Sequence, residues 1–204
     1  MYTHPTDFQL HLFHEGSLFK SYDLFGAHIL NDEQKGIYTR FCVWAPSASE
    51  VRVVGDFNNW NGEDYRFTRM NKEGVWFLNV EEDLSGAIYK FEIIQANGQS
   101  RLKSDPYAFH SEKRPNTASI VYSLEDYEWS DRRWLNTRDN THRRTQPMAI
   151  YEVHLGSWKL AEDGSLLTYR QLAQELIPYV LSHGYTHIEV LPLTEHPFDL
   201  SWGY

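Results

Sequence analysis

The sequence predicts an all-β sandwich followed by a single β-α-β unit. Two observations carry this. Between residues 37 and 124, short runs of alternating apolar and polar residues recur, each closed by turn residues, at the spacing of a β-sandwich. From Met148 the pattern changes to strand, helix and strand. A third observation separates them, because residues 125–147 are charged and carry no sustained apolar period. The predicted organisation is a lead-in over 1–36, a sandwich over 37–124, a linker over 125–147 and the β-α-β unit over 148–204.

In the lead-in, FHEGSLFKSYDLFGAHIL places apolar residues at helical spacing around Leu18, Phe19 and Tyr22. It predicts one short helix that breaks at Gly26, with irregular chain around it. The strands then follow in order. Ile37–Trp44 alternates and stops at Ala45-Pro46, and Glu50–Val54 comes next. Arg66–Met70 leads into a turn at Asn71–Gly74, Val75–Val80 alternates, and Leu84–Gly86 turns again. Ile88–Gln95 ends at Asn97-Gly98, a strong hairpin signal, with Gln99–Lys103 as its partner. Ser119–Tyr122 is the last strand of the sandwich.

The linker reads EDYEWSDRRWLNTRDNTHRRTQP, with Trp129 and Trp134 expected to pin it against a neighbour. Beyond it, Ala149–Leu155 is a strand. Thr168–His183 is a helix whose Thr168 and Gln171 form a capping box. Leu172, Leu176 and Val180 recur on one helix face, with Ala173, Ile177 and Leu181 beside them. Pro178 should kink this helix, and Gly184 suits the position after its end. Thr186–Leu191 is the second strand, ended by Pro192. Such a unit requires a parallel pair with a right-handed crossover. Alone it leaves open strand edges and an uncovered helix face, so it reads as the opening of something larger.

A formal charge of −9 argues against a nucleic acid or other polyanion and favours a neutral or cationic partner. Arg132-Arg133 and Arg143-Arg144 read as solvated linker charge. The one cysteine, Cys42, lies in a strand-like run as a small buried apolar residue and cannot form an intrachain disulfide. The start, MYTHPTDFQL, has no basic and apolar leader pattern, and no apolar run is long enough to span a membrane. A soluble cytoplasmic protein is the expectation. The histidines lack ligand spacing (His183 and His187 straddle a helix end and a strand start), and there is no Gly-rich phosphate loop, so no metal or cofactor is expected.

The run Val51–Trp60, VRVVGDFNNW, is a strand that breaks at Gly55-Asp56 and turns through Asn58-Asn59. Two readings of Trp60 stay open. One is a core tryptophan. The other is a ring held at a loop edge, suited to the flat apolar face of a sugar. An aromatic share of 15% is common in carbohydrate-handling proteins but only nudges towards the second reading, because aromatic-rich β cores show it too.

Several stretches resemble bacterial 1,4-α-glucan (glycogen) branching enzymes of glycoside hydrolase family 13. HPTDFQLHLFHEGSLFKSYDLFGAH is similar to that family's lead-in, and FCVWAPSASEVRVVGDFNNWNG to the opening of carbohydrate-binding module family 48, an immunoglobulin-like sandwich. AIYEVHLGSWK and GYTHIEVLPLTEHPFDLSWGY resemble the first two strands of the catalytic barrel and the loop that follows. The resemblance implies a (β/α)8 barrel of which this chain holds only the first β-α-β unit. It also implies retaining chemistry, in which paired carboxylates cleave an α-1,4 bond and a glucan 6-hydroxyl takes the chain as an α-1,6 branch. The family's catalytic carboxylates lie on later strands. Glu189 and Glu195 match none of them and read as structural. Tyr204, closing WGY, matches the tyrosine that stacks on glucose at the cleavage subsite. Trp60 matches the module's stacking ring and Lys90 its hydroxyl-binding lysine. A second stacking aromatic is expected where this chain has Ser100, and an asparagine near Ser119, so the module's site is only partly present.

The resemblance therefore implies the N-terminal part of a branching enzyme, inactive by itself, with α-glucan as partner. Two alternatives stay open: a non-catalytic glucan-binding module, and part of a related debranching enzyme or trehalohydrolase.

Overall fold

The computed structural model describes residues 4–34, 36–125, 127–141, 146–194 and 201. They fall into two compact units, Met1–Glu128 and Trp129–Tyr204.

The first unit packs two antiparallel sheets face to face. One has the strand order β1 (Gly26–Asp32), β2 (Gly36–Trp44), β5 (Val75–Val80), β4 (Thr68–Arg69). The other runs β3 (Ala48–Gly55), β6 (Ile88–Gln95), β9 (Ser119–Ile120), β8 (His110–Ser111), with β7 (Ser100–Lys103) also on β6. Alternation along the strands builds the core. Phe41 and Val43 on β2, Val51 and Val53 on β3, and Tyr89 and Phe91 on β6 all point between the sheets, where Phe67, Trp76 and Val121 join them. Burying side chains of this size removes about 1.5–3 kcal/mol each from water.

The lead-in differs from the sequence expectation in two ways. Its helix is α1 (Asp7–His14), not a helix around Leu18–Tyr22, where only the 3-10 turn Ser21–Asp23 forms. A capping box fixes α1: the Gln9 amide donates to Thr6 Oγ1 (3.2 Å) and the Thr6 amide to Gln9 Oε1 (3.0 Å). The chain after Gly26 is also a strand, paired in register with β2 from Gly26↔Cys42 to Asp32↔Gly36, so the sandwich begins before residue 37. This strand lacks a two-residue period because both its faces are covered. Ala27 and Ile29 join the inter-sheet core, while the residues between them lie towards the lead-in.

The lead-in covers the outer face of the first sheet. Leu10, Leu24 and Phe25 pack there against Cys42 and Val75. Cys42 is fully buried, as expected, and burial pushes its thiol up to about 12.

The second unit differs at its start. Within the expected linker lies α2 (Arg132–Thr141), a mostly polar helix without a wide apolar stripe. Trp129 and Trp134 are exposed, and the Arg138 guanidinium lies 5.7 Å from the Trp134 ring centre. Then β10 (Ile150–Val153), a short turn α3 (Leu155–Trp158), α4 (Tyr169–Ser182) and β11 (His187–Val190) follow. The two strands are parallel, Ile150↔His187 to Val153↔Val190. The capping box of α4 forms with Thr168 and Gln171, and the helix runs through Pro178. Leu172, Leu176 and Val180 are its buried residues, and Gly184 follows its end at φ +78°. Ile177 and Leu181 stay exposed on α4, and among the described residues β10 and β11 make a two-stranded sheet. We therefore expect concentration-dependent self-association of the purified chain through this uncovered surface. Sedimentation velocity tests it, and a single monomeric species at every concentration would contradict it.

Candidate functional site

The site grows out of the end of β3. Strands β3 and β6 pair Val53↔Phe91, Val54↔Lys90 and Gly55↔Tyr89. Since Tyr89 and Phe91 point inward, Lys90 and Glu92 point outward. At Gly55 the chain passes so close to β6 that a Cβ would sit 2.3 Å from the Ile88 carbonyl oxygen and 2.5 Å from the Phe57 ring, which only glycine permits.

The 3-10 turn Asp56–Asn58 follows and is tied down from several sides. Asp56 Oδ1 accepts the Ile88 amide (3.1 Å). Asn58 accepts the Gly55 amide (2.9 Å) and donates to the Val53 carbonyl (3.0 Å). Phe57 anchors the turn on the core, its ring centre 6.4 Å from Phe41 and 5.4 Å from Tyr65.

Asn59 and Trp60 then both adopt left-handed backbone angles, φ +54° and +59°. Asparagine tolerates this, whereas a tryptophan there costs of order 1 kcal/mol. The Trp60 amide donates to the Gly55 carbonyl (2.8 Å), which fixes where the ring starts. Trp60 is 45% exposed, so the core reading does not hold. Trp76 fills the core instead.

Lys90 lies opposite Val54, the residue before Gly55, on the outer face. Its ammonium donates to Thr117 Oγ1 (2.8 Å), and no carboxylate among the described residues pairs with it. The carboxylates of that face are taken up by arginine. Arg52 Nε donates to Glu50 Oε1 (2.6 Å), its Nη1 lies 3.8 Å from Glu92, and Arg66 reaches Glu50 at 3.4 Å. The Arg52 hydrogen bond holds the Glu50 carboxyl below the usual carboxylate range.

The positions where the resemblance expects further sugar contacts are occupied differently. Ser100 is on the same face, and its hydroxyl donates to Glu92 (2.7 Å). Ser119 is not on that face. It pairs with inward-pointing Tyr89, is buried, and accepts the Asp105 amide on Oγ (2.9 Å). Two residues that sequence reasoning passed over belong to the surface. Thr117 holds the lysine. Leu102, opposite Glu92, stands half exposed on the outer face. The Ser100/Leu102 alternation on a strand already read as paired could have found Leu102.

Tyr204 and Glu195 lie outside the described residues. Glu189 sits on β11 opposite Glu152 and is exposed. The sandwich surface thus offers an aromatic ring, a cation held by a neutral hydroxyl, and an apolar side chain. Groups of these kinds can hold and orient a neutral ligand.

Comparison with known proteins bears on this surface. Residues 24–108 match Carbohydrate-binding module 48 (Isoamylase N-terminal domain), a span that includes β1, Trp60 and Lys90. Over 200 residues, 98% of the chain, it is 56% identical to the 1,4-alpha-glucan branching enzyme of Geobacillus stearothermophilus. By sequence, the chain is similar over nearly its whole length to 1,4-alpha-glucan branching enzymes. The Bacillus subtilis (strain 168) branching enzyme is 53% identical over the same share of the chain. The chain spans about a third of the length of these curated relatives, 31% and 32%, and corresponds to the N-terminal part of a branching enzyme. In solved structures the fold is similar to that of pullulanases. The Bacillus acidopullulyticus enzyme superposes with TM-score 0.62 at 19% identity, over 88% of this chain and 24% of that one. The Bacillus subtilis str. 168 enzyme, solved with maltose, gives 0.57 at 24% identity, over 85% and 24%. At these identities the likeness concerns the fold alone.

Proposed function

We propose that the chain is the glucan-binding module and the opening of the catalytic barrel of a cytoplasmic 1,4-α-glucan branching enzyme in glycogen synthesis. The observation that carries this is identity above 50% to branching enzymes over nearly the whole chain, lead-in and β-α-β unit included. A free-standing module needs neither of those segments, and a debranching enzyme would not share them at that level. In this reading the parallel β10–α4–β11 unit supplies the first two strands of a (β/α)8 barrel. The carboxylates that cleave the α-1,4 bond and pass the chain to a 6-hydroxyl belong to later strands. Tyr204 stacks on glucose at the cleavage subsite once that barrel is complete. The 204-residue chain by itself makes no branches.

On the sandwich, the Trp60 ring stacks on the apolar face of a glucosyl unit. The Lys90 ammonium, already oriented by Thr117, donates to its hydroxyls, and Leu102 takes up apolar edge. With Ser100 in place of a second ring, one stack remains, and the site is a weak one.

Isothermal titration with maltoheptaose tests this. The chain should bind saturably, and Trp60→Ala should lose roughly 1 kcal/mol or more, about fivefold in affinity. Equal binding by the variant would refute the assignment. For the activity, iodine staining of amylose should stay unchanged with the chain alone, and any loss of stain would contradict the placement of catalysis on later strands.

A further inference from the structure

Away from the Trp60 surface, a cavity of about 630 Å³ opens on the outer face of the first sheet, beneath the lead-in, with Arg40 in its lining. That volume is in the range of small-molecule sites. Arg40 is only 7% exposed. Its Nη2 donates to the Asp23 and Leu24 carbonyls (3.0 and 3.3 Å), but Nε has no partner. No carboxylate among the described residues pairs with it. Burial lowers its proton affinity, as expected for a guanidinium with no anion beside it. A buried charge without a counter-charge costs several kcal/mol, and a buried donor without an acceptor adds to that.

Three of the lining's side chains, His28, Asp23 and Glu125, can accept hydrogen bonds, beside hydroxyl and amide groups that can also donate. His28 stands opposite Arg40 across the β1/β2 pair, and its Nε2 lies 2.9 Å from the Phe25 carbonyl. A carbonyl can only accept, so Nε2 carries the hydrogen. Burial holds the ring's pKa below its usual value, so the ring is neutral and Nδ1 is an acceptor. Asp23 and Glu125 also line the cavity, and the half-exposed rings of Tyr22 and Tyr122 form apolar rims. A plain anion would meet those two carboxylates unfavourably, and a plain sugar would leave the guanidinium uncompensated. A molecule with one anionic group and several hydroxyls satisfies both.

We propose that this cavity binds a phosphorylated monosaccharide, its phosphate against the Arg40 guanidinium and its hydroxyls against Asp23, His28 and Glu125. It is a site separate from the glucan surface and does not depend on the reading given to that surface. Arginine binds phosphate oxygens through its planar fork, and a dry setting strengthens the pair.

The test is calorimetric titration of the chain with glucose 6-phosphate, with inorganic phosphate and glucose as separate probes. Saturable one-to-one binding of glucose 6-phosphate is expected, with inorganic phosphate weaker and glucose weaker still. Arg40→Gln should weaken it about tenfold or more. Because Arg40 also ties down the turn before β1, Tyr122→Ala is the second variant. It changes only a rim residue and should weaken binding about threefold while the melting temperature holds. Trp60→Ala should bind as the unaltered chain does. No saturable binding of glucose 6-phosphate overturns the proposal. So does glucose binding equally well, which would make this a plain polyol site. Unchanged affinity in both cavity variants also overturns it.

Discussion

Replacing Phe41 by alanine should remove about 3–5 kcal/mol from the stability of the sandwich and weaken the proposed glucan binding at Trp60 at the same time. Phe41 is fully buried in the inter-sheet core. Its ring meets Tyr89 edge-on with centres 5.1 Å apart and lies parallel to Phe57 at 6.4 Å. Truncation loses the transfer energy of the ring and leaves a cavity that sheets paired on both sides cannot close. Phe57 is the anchor of the turn that sets Trp60, so the site loses its floor. Urea unfolding should show the midpoint falling with an unchanged slope. Calorimetry with maltoheptaose should show weaker binding under conditions where the variant is still folded. A loss below about 1 kcal/mol would mean that Phe41 is not central to the core.

The second large effect is on pH. Asp105 is 6% exposed and receives hydrogen bonds from the Tyr89 hydroxyl (2.6 Å) and the Tyr107 amide (2.8 Å). Burial outweighs these bonds and pushes its carboxyl from 3.8 up to about 6. The same burial, and the neighbouring carboxylate, push the Tyr89 phenol upward. Between about pH 4 and 6 the folded state therefore holds a proton that the unfolded state has given up. Stability contributed by this group rises as pH falls through 6, levels off near 4, and is absent at pH 7. From pH 7 to pH 5 the gain is about 1.4 kcal/mol, or roughly 5 °C in melting temperature. Other groups titrate in this interval, so the comparison is with Asp105→Asn. Asparagine is the neutral isostere. Its Oδ1 keeps the Tyr107 amide and its Nδ2 donates to the Tyr89 oxygen. At pH 7 the variant should be more stable by about 1–3 kcal/mol, and its melting temperature should lose this pH-dependent component. A variant less stable than the parent at pH 7 would show that the ionised carboxylate is needed.

The strands whose one face meets the core were readable because their side chains alternate, as at Phe41/Val43, Val51/Val53 and Tyr89/Phe91. The α4 boundaries were readable from the Thr168/Gln171 box and from Gly184. β1 escaped because its two covered faces erase the alternation. The box at Thr6 and Gln9 is present in the sequence, whereas Leu18, within the run of apolar spacing, packs on the first sheet without an α-helix. α2 carries no apolar stripe to betray it. At the site, Trp60 and Lys90 were legible as residues, but the outward face of Lys90 is a matter of register between β3 and β6. The left-handed backbone of Trp60 has no signature in the sequence, since only Asn59 before it favours that conformation. Ser119 shows the opposite case, a position near the site in sequence that pairing with Tyr89 turns into the core. Arg40 shares a strand face with Tyr38 and Cys42, and its burial depends on the lead-in that covers this face.

The central claim is that the Trp60–Lys90 face of the sandwich holds α-glucan. The most direct measurement is a two-dimensional amide and indole NMR titration of the chain with maltoheptaose. The account predicts that the Trp60 indole signal and the Lys90 and Thr117 amides shift together and saturate with one dissociation constant, while the buried Trp76 indole stays in place. Saturating shifts confined to other residues, or none at this face, would contradict it.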